Sequence, residues 1–430
     1  MNDAISLRLA RKLVRRLPFF YGWVVLGCVL CSNMARQGAA VATLSMFVVP
    51  MSLEFGWSRT GISGAVSLGS LLGALVAPFI GPLFDRHGSR ALLVASAVVV
   101  SACCVALAGT QSLAWFYAAF ALSRMTFSAP FDVGTSSAVA NWFLRRRAAA
   151  MSLLATSIGV SLAVIPFVTQ LVVVAHGWRV GWLVLAALVL VLGALPQWLL
   201  LVRRPEDLGL APDGETKPQA AGEAAGGISG EVSGEVSGEV SYTRGEALRT
   251  PVLWLLMAYT LLVFPVQAGI SLHQAPHLME RGLSPELAAA AVSVFSIAAA
   301  LAALLFGAVG HRISVRGLLA GGALLMTVGA TMMRAVDGPA LGFAAAAAFG
   351  AGLGGIFTML PVAWANYFGR AHFGAIRGIT LPAQVGGQAL GPLIAGVLHD
   401  YRGDYATGLA LFAAMSLCAA GVALLVRPPR

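Results

Sequence analysis

The stretch Gly81–Arg90 reads GPLFDRHGSR and joins two long apolar runs as a short polar turn. The same pattern returns at Gly307–Arg316 as GAVGHRISVR. The matched positions are Gly81 with Gly307, Arg86 with Arg312 and Arg90 with Arg316, all at one constant offset. A single match could arise by chance, because basic turns between apolar helices resemble one another.

A second pair of segments repeats at nearly the same offset. Asn141-Trp142-Phe143, followed by Arg145, returns as Asn366-Tyr367-Phe368, followed by Arg370. Two independent anchors at one spacing predict two homologous halves in the same orientation. Parallel repeats of this kind occur in secondary transporters.

The composition indicates a membrane protein. The chain is 58% hydrophobic and 11% charged, with a mean hydropathy of +0.83, whereas soluble domains carry about 25% charged residues. Most apolar runs approach or exceed ~18 residues and can cross a lipid bilayer as helices. The net charge of +10 does not indicate a nucleic-acid partner, because the basic residues lie in turns at membrane edges rather than on one patch.

The apolar runs predict an all-α polytopic fold with twelve transmembrane helices, spans 1 to 12, in two six-helix bundles. We place the spans near 19–50, 60–83, 91–109, 113–143, 149–174, 179–201, 251–279, 286–309, 316–335, 340–364, 377–398 and 406–426. Strands are not supported, because alternating hydrophobicity is absent and an open sheet cannot pair its backbone groups in lipid.

The basic residues orient the chain in the membrane. Most of the 28 lysine and arginine residues flank the spans on one side, which predicts that both termini are cytoplasmic in an inner (plasma) membrane. We divide the chain into a basic leader (1–18, not a cleaved signal), a first bundle (19–202), a cytoplasmic linker (203–249) and a second bundle (250–430). The linker repeats Ser-Gly-Glu-Val three times from Ser229 and has too little apolar material to fold alone, so we expect a flexible tether.

These features resemble the major facilitator superfamily, whose fold is two six-helix bundles around a central cavity. The segment GPLFDRHGSR is similar to the family's loop between helices two and three, with Asp85 and Arg86 at its characteristic positions. In the family this loop helps to hold the halves together in the outward-open state. The resemblance therefore implies a gating role for Gly81, Asp85, Arg86 and Arg90. The second copy has His311 where an acid would sit, which implies a weaker contact there.

Short motifs are similar to those of the bacterial monocarboxylate and oxalate–formate transporters. They are Tyr21-Gly22-Trp23-Val24-Val25, Phe55-Gly56-Trp57-Ser58-Arg59, Asn141-Trp142-Phe143 and Arg204-Pro205-Glu206-Asp207-Leu208-Gly209-Leu210. That branch often carries an arginine in helix eight for the substrate carboxylate. Span 8 has no basic residue or aspartate in its membrane part, and span 11 has no lysine. The branch's substrate therefore cannot simply be transferred to this chain.

Span 4 carries two charges within one polar stripe. Arg124, Ser128, Asp132 and Ser136 recur every fourth residue. A charge at bilayer depth costs roughly 2.5–3.5 kcal/mol, so it faces a cavity or a partner. Arg124 and Asp132 are about 12 Å apart along a helix, too far to pair directly. Asp132 could line a cavity or lock neighbouring helices together, whereas for Arg124 we favour the cavity.

Span 1 carries Asn33, Arg36 and Gln37 on one face. Measured from the cytoplasmic end, Arg36 lies roughly 24 Å and Arg124 roughly 28 Å into the membrane. Two guanidinium groups at similar depth could form an anion site, because each can fork onto a carboxylate. The alternative is that Arg36 snorkels to the outer interface.

Other polar side chains lie in spans 7 and 11. His273 and His277 are one turn apart near the outer end of span 7, where a histidine can carry a proton or simply sit at the interface. Gln384 and Gln388 share a face of span 11 and could bind substrate or bridge helices.

The sequence predicts a secondary transporter for a small organic anion, a monocarboxylate, working by alternating access. Arg36 and Arg124 would bind the carboxylate with Asn33, Gln384 and Gln388, and Asp132 or His273 would carry a coupled proton. We expect no enzyme, metal or cofactor, because no nucleotide-binding loop or catalytic cluster is visible. Two rivals are a proton-driven exporter of hydrophobic compounds and a transporter-like sensor that binds without flux. The oligomeric state is not predicted.

Overall fold

The computed structural model describes residues 3–57, 59–214 and 241–428. Within these ranges the chain is helical and contains no β-strand. Eleven helices in the described chain are long and apolar enough to cross a membrane, and the polar span 4 is the twelfth helix. The predicted all-α fold with two six-helix bundles is confirmed.

The observed spans agree with the predicted ones to within several residues. In the first bundle they are Gly22–Arg36 with Val41–Phe55, Arg59–His87, Ser89–Ala108, Leu113–Thr126 with Asp132–Trp142, Arg147–His176, and Trp178–Gly193 with Leu195–Leu200. In the second bundle they are Pro251–Glu280, Pro285–Val309, Val315–Arg334, Pro339–Phe368, Phe373–Arg402 and Ala406–Leu425. Short helices also form at Asp3–Val14, Pro205–Leu208 and Arg244–Arg249.

The motif at residues 81–90 is more helical than its polar sequence predicts. Span 2 continues through His87, and span 3 begins at Ser89. The chain reverses at Gly88, whose φ of 77° favours glycine. The expectation of a polar turn from Gly81 was therefore wrong, and Asp85 and Arg86 belong to the last turn of span 2.

Spans 1 and 4 are irregular at the same level of the first bundle. In span 1 a 3₁₀ turn, Gln37–Ala39, is followed by the extended residue Ala40. In span 4 a π-helical turn, Phe127–Phe131, contains Pro130, which lacks a backbone N–H. Such turns leave carbonyl groups outside the regular helical ladder, where side chains can reach them.

Glycines bring the two bundles close together beside the repeated motif. A Cβ at Gly81 in span 2 would overlap the carbonyl oxygen of Gly374 in span 11, and one at Gly378 would lie 2.5 Å from the carbonyl oxygen of Ala77. In the second copy, a Cβ at Gly307 in span 8 would overlap Ser152 of span 5. The repeat therefore produces two related contacts between the bundles.

The second repeated anchor also joins the bundles. The Arg147 Nη1 donates to Asn366 Oδ1 at 2.6 Å, and the Arg370 Nη1 donates to the Asn141 carbonyl oxygen at 2.9 Å. Each bundle thus supplies an arginine to the end of the matching helix in the other. Both contacts lie at the predicted cytoplasmic end.

The two ends of the linker, for which the sequence predicts a flexible tether, are folded. The Arg370 guanidinium pairs with Glu206, and the Tyr242 backbone N–H donates to the Phe368 carbonyl oxygen at 2.9 Å. Pro205 and Pro212 are buried. These contacts hold residues 203–214 and 241–249 against the bundles, and the Ser-Gly-Glu-Val repeats lie outside the described residues.

Asp213 fixes the linker to the loop before span 5. Its carboxylate accepts backbone N–H groups from Leu144 at 2.9 Å, Arg145 at 2.7 Å and Arg146 at 3.2 Å. We expect Asp213→Ala to lower stability by about 0.5–2 kcal/mol, as for loss of a helix cap, seen as a lower Tm of the purified full chain. Asp207→Ala, which removes one local bond to the Arg204 N–H, is the matched control, and an equal Tm for both variants would contradict this role.

Candidate functional site

A charge cluster lies where spans 1, 4 and 11 meet. Asp132 of span 4 accepts a hydrogen bond from the Arg377 Nη2 at 2.6 Å, and the Arg36 Nη1 is 3.9 Å from its other carboxylate oxygen. Arg36 belongs to the first bundle and Arg377 to the second. Asp132 therefore joins spans within its own bundle and also links the two bundles.

The sequence prediction missed Arg377. Span 11 begins at Phe373 rather than near residue 377, so Arg377, predicted at the cytoplasmic end of the span, lies one turn inside the helix. Its side chain is buried, with the residue 4% exposed. The signal was available, since Arg377 lies seven positions before Gln384 on one helix and so shares its face, but helix ends are the least certain feature of a sequence prediction.

Arg124 lies beside Arg36 but has different partners. Its Nε donates to Ser70 Oγ at 3.2 Å, and its Nη1 donates to the Ala39 carbonyl oxygen at 3.4 Å, which the irregular turn of span 1 exposes. Both guanidinium carbons lie 4.2 Å from the centre of the Phe127 ring. The two arginines are thus brought together, as the similar depths suggested.

Glycine in span 2 makes room for this arrangement. A Cβ at Gly69 would lie 2.5 Å from the Arg124 Cβ, and one at Gly73 would lie 2.6 Å from the Ser128 Cβ. Spans 2 and 4 therefore approach closely along the polar stripe. This packing limits the orientations that the Arg124 side chain can adopt.

The cluster carries more positive than negative charge. Among the described residues, Asp132 is the only carboxylate in the middle of a span, and it faces the guanidinium groups of Arg36 and Arg377. No carboxylate within the described ranges pairs with Arg124. The Nε atoms of Arg36 and Arg377 are buried without a partner there. Unsatisfied guanidinium groups at bilayer depth are costly, and an anion would compensate them.

The polar residues predicted to bind substrate divide into two groups. Gln384 belongs to the cluster, because its Oε1 accepts from the Arg377 Nη2 at 3.0 Å. Asn33 instead donates to Ser157 Oγ of span 5 at 2.9 Å, and Gln388 donates to Gln267 of span 7 at 3.1 Å. Asn33 and Gln388 therefore bridge helices within their own bundles in this conformation.

His273 contacts another part of the second bundle. Its Nδ1 is 3.2 Å from the Tyr405 hydroxyl, while the His277 Nε2 donates to the Met333 carbonyl oxygen at 2.8 Å. Both histidines line a small cavity of about 10 Å³ with Gln274 and Tyr405. The structure does not bring His273 together with Asp132, whose described partners are the two arginines.

The four predicted gating residues have different surroundings. Asp85 accepts the backbone N–H groups of Gly374 at 2.9 Å and Ala375 at 2.7 Å, at the start of span 11. This places a carboxylate at the positive end of a helix dipole in the other bundle. Gly81 packs on the same helix, as described above. Arg86 is exposed, and Arg90 donates to Ser6 of the leader helix at 2.5 Å.

The second copy of the motif lacks the acidic contact. His311 is exposed and its Nε2 accepts from the Arg312 Nε at 3.1 Å, within its own turn. The glycine contact between Gly307 and Ser152 is retained. The two sides of the bundle interface are therefore related in packing and different in charge.

Solved transporter structures share this fold. The chain resembles FucP in an outward conformation with a TM-score of 0.72 and 12% identity, covering 95% of this chain and 100% of that chain. A single-residue variant of the E. coli fucose:proton symporter FucP matches with a TM-score of 0.68 and 12% identity, covering 93% of this chain and 98% of that chain. The proton:xylose symporter XylE bound to 6-bromo-6-deoxy-D-glucose matches with a TM-score of 0.72 and 12% identity, covering 95% of this chain and 96% of that chain. No curated protein matches the sequence.

A family model matches almost the whole chain. The model described as Major Facilitator Superfamily aligns with residues 25–281 and with residues 275–430. These matches include both bundles and the charge cluster between them. The chain therefore belongs to the major facilitator superfamily and is a multi-pass membrane transporter of that family.

Proposed function

We propose that this protein is a secondary active transporter of a small organic anion, a monocarboxylate, coupled to protons and working by alternating access. The observation that carries this proposal is the excess of buried guanidinium groups over carboxylates at the bundle interface. Arg36 and Arg377 are buried and Arg124 is half-buried. The described spans place one carboxylate in this cluster, that of Asp132, and it faces Arg36 and Arg377. This positive cluster would attract an anion, and a substrate carboxylate could accept forked hydrogen bonds from the guanidinium groups.

Asp132 is the proposed proton carrier. An arginine stays protonated in proteins, so within this cluster the carboxylate is the group that can gain and lose a proton. A proton that enters with a monovalent anion leaves the net charge of the site unchanged. His273, the other candidate carrier, interacts with Tyr405 in the second bundle, which makes Asp132 the stronger choice.

The contacts between the bundles support an assignment of the conformation. Gly81, Asp85, Arg147 and Arg370 contact the opposite bundle at the end that carries most basic residues. If that end is cytoplasmic, as the charge distribution predicts, the cytoplasmic side is closed. The site would then be loaded from the outside.

The proposal is tested by uptake of labelled lactate, pyruvate, formate and oxalate into proteoliposomes, with and without an inward proton gradient. We expect accumulation of at least one acid that the gradient stimulates and that a protonophore abolishes. Liposomes without protein are the control for passive entry of the protonated acids.

Other outcomes distinguish the rival functions. Exchange that does not respond to the gradient would contradict proton coupling and indicate an antiporter. Binding without flux would favour a sensor. If no acid binds or is transported, and hydrophobic compounds leave the proteoliposomes when the gradient is applied, the anion proposal is overturned and the exporter is favoured.

A further inference from the structure

We propose that Arg377, in the second bundle, supplies a third substrate-binding guanidinium. Asp132 binds this guanidinium until Asp132 is protonated and the substrate carboxylate takes its place. This inference rests on the proposed function, because it assigns a further residue and a coupling step to the same anion site. Its consequence is that Asp132 acts as an internal substitute for the substrate's carboxylate.

The hydrogen bonds of Arg377 leave part of its guanidinium free. The Nη2 donates to Asp132 at 2.6 Å and to Gln384 at 3.0 Å, while the Nε is buried and has no partner among the described residues. The Nε and Nη2 form one edge of the guanidinium fork, which can hold both oxygens of a carboxylate. Asp132 therefore fills only half of a site that suits a carboxylate.

Asp132 and a substrate carboxylate would compete for this edge. A substrate anion arriving alone would meet the Asp132 charge, and a proton arriving alone would leave the buried Arg377 without its counter-ion, which is costly. When both arrive, protonated Asp132 releases the guanidinium and the substrate takes its place, with the net charge unchanged. Each binding event therefore strengthens the other, by the reciprocity of linked equilibria.

The charged groups closest to Asp132 are arginines. It faces Arg36 from span 1 and Arg377 from span 11, and Arg124 lies on its own span. Spans 2, 3 and 5 also pack on span 4. Their described charged and histidine residues lie towards the ends of these spans, namely Asp85, Arg86 and His87, Arg90, and Arg147 and His176. Span 10, which also contacts span 4, carries no charged residue.

The exchange would also act on the bundle interface. The Asp132–Arg377 bond joins span 4 to span 11 beside the close glycine contact of Gly378 with Ala77. Loss of that bond on protonation would be offset when the substrate bridges Arg377 to Arg36 and Arg124. Proton or substrate alone would therefore leave the bundles less well connected than both together.

The test measures equilibrium binding of labelled lactate, pyruvate, formate and oxalate to the purified full chain between pH 5 and 8. For the acid that binds, we expect the wild-type dissociation constant to rise about tenfold per pH unit once Asp132 is ionised, as required for one linked proton. Asp132→Asn should remove this slope and keep the affinity seen at low pH. Arg377→Gln should weaken binding at least about tenfold at low pH, as for loss of a charged hydrogen-bond donor.

Two further variants keep the result interpretable. Asp132→Glu should retain the slope, and Arg402→Gln, at the exposed far end of span 11, should bind like the wild type. Size-exclusion profiles show which variants are folded. An unchanged slope in Asp132→Asn, or wild-type affinity in Arg377→Gln, would overturn the inference.

The same data separate this inference from the proposed function. Proton-stimulated uptake by the wild type, together with an unchanged slope in Asp132→Asn, would overturn the exchange at Arg377 and leave carboxylate transport standing. The lack of binding and uptake of every acid by the wild type would overturn the proposed function and the exchange with it.

Discussion

Replacing Arg124 with alanine should reduce proton-driven carboxylate uptake by at least about tenfold, since a charge-assisted hydrogen bond contributes roughly 1.5–3 kcal/mol. Arg124 is the guanidinium of the cluster that has no carboxylate partner among the described residues, and it is held by Ser70 and the Ala39 carbonyl oxygen. Its charge is therefore the most available to a substrate anion. The measurement is initial uptake into proteoliposomes over a range of substrate concentrations.

A matched arginine elsewhere controls for general effects of losing a positive charge. Arg334, exposed at the end of span 9, can be replaced with alanine and should leave uptake close to the wild-type rate. Arg124→Lys should show an intermediate loss, because an ammonium keeps the charge without the fork. Normal transport by Arg124→Ala would remove this residue from the site.

Gly81→Ala should also have a large effect, because a Cβ there would overlap the Gly374 carbonyl oxygen of the opposite bundle. Overpacking of this kind costs typically about 1–3 kcal/mol, and here it acts on the state in which the bundles touch. We expect the conformational equilibrium to move away from cytoplasmic closure by about 5- to 150-fold, with a corresponding fall in gradient-driven uptake.

The conformational change can be followed separately from transport. Ser152 is buried opposite Gly307, so a Ser152→Cys variant without the native cysteines should react faster with a membrane-impermeant maleimide when Gly81→Ala is added. Gly396→Ala in span 11, where a Cβ would have open space around it, is the control. It should change neither the rate of the maleimide reaction nor the rate of uptake. Equal reaction rates with and without Gly81→Ala would show that this contact does not control closure.

The fold could be predicted because its signals are local and repeated. Long apolar runs define the spans, and the two matched anchors at Gly81–Arg90 and Asn141–Arg145 define the halves. The structure places both anchors at the bundle interface, where related contacts are made twice. The family model, which matches both halves, agrees with this division.

The partners within the candidate site could not be predicted, because they are distant in sequence and depend on small shifts along helices. Span 11 begins four residues earlier than predicted, so Arg377 lies inside the helix rather than at its cytoplasmic end. The π-helical turn between Arg124 and Asp132 was also not visible from an α-helical repeat. The pairing of Asp132 with Arg377 arises from the docking of one bundle on the other, which no local pattern specifies.

Simultaneous measurement of carboxylate and proton uptake by the purified protein tests a proton-coupled anion site most directly. In weakly buffered detergent solution at neutral pH, with lactate, pyruvate, formate and oxalate tested in turn, we predict that the wild type takes up close to one proton for each carboxylate bound. Asp132→Asn should bind the same acid with no proton uptake. Carboxylate binding by the wild type with no accompanying proton would contradict the coupling, and failure of all four acids to bind would contradict the anion site itself.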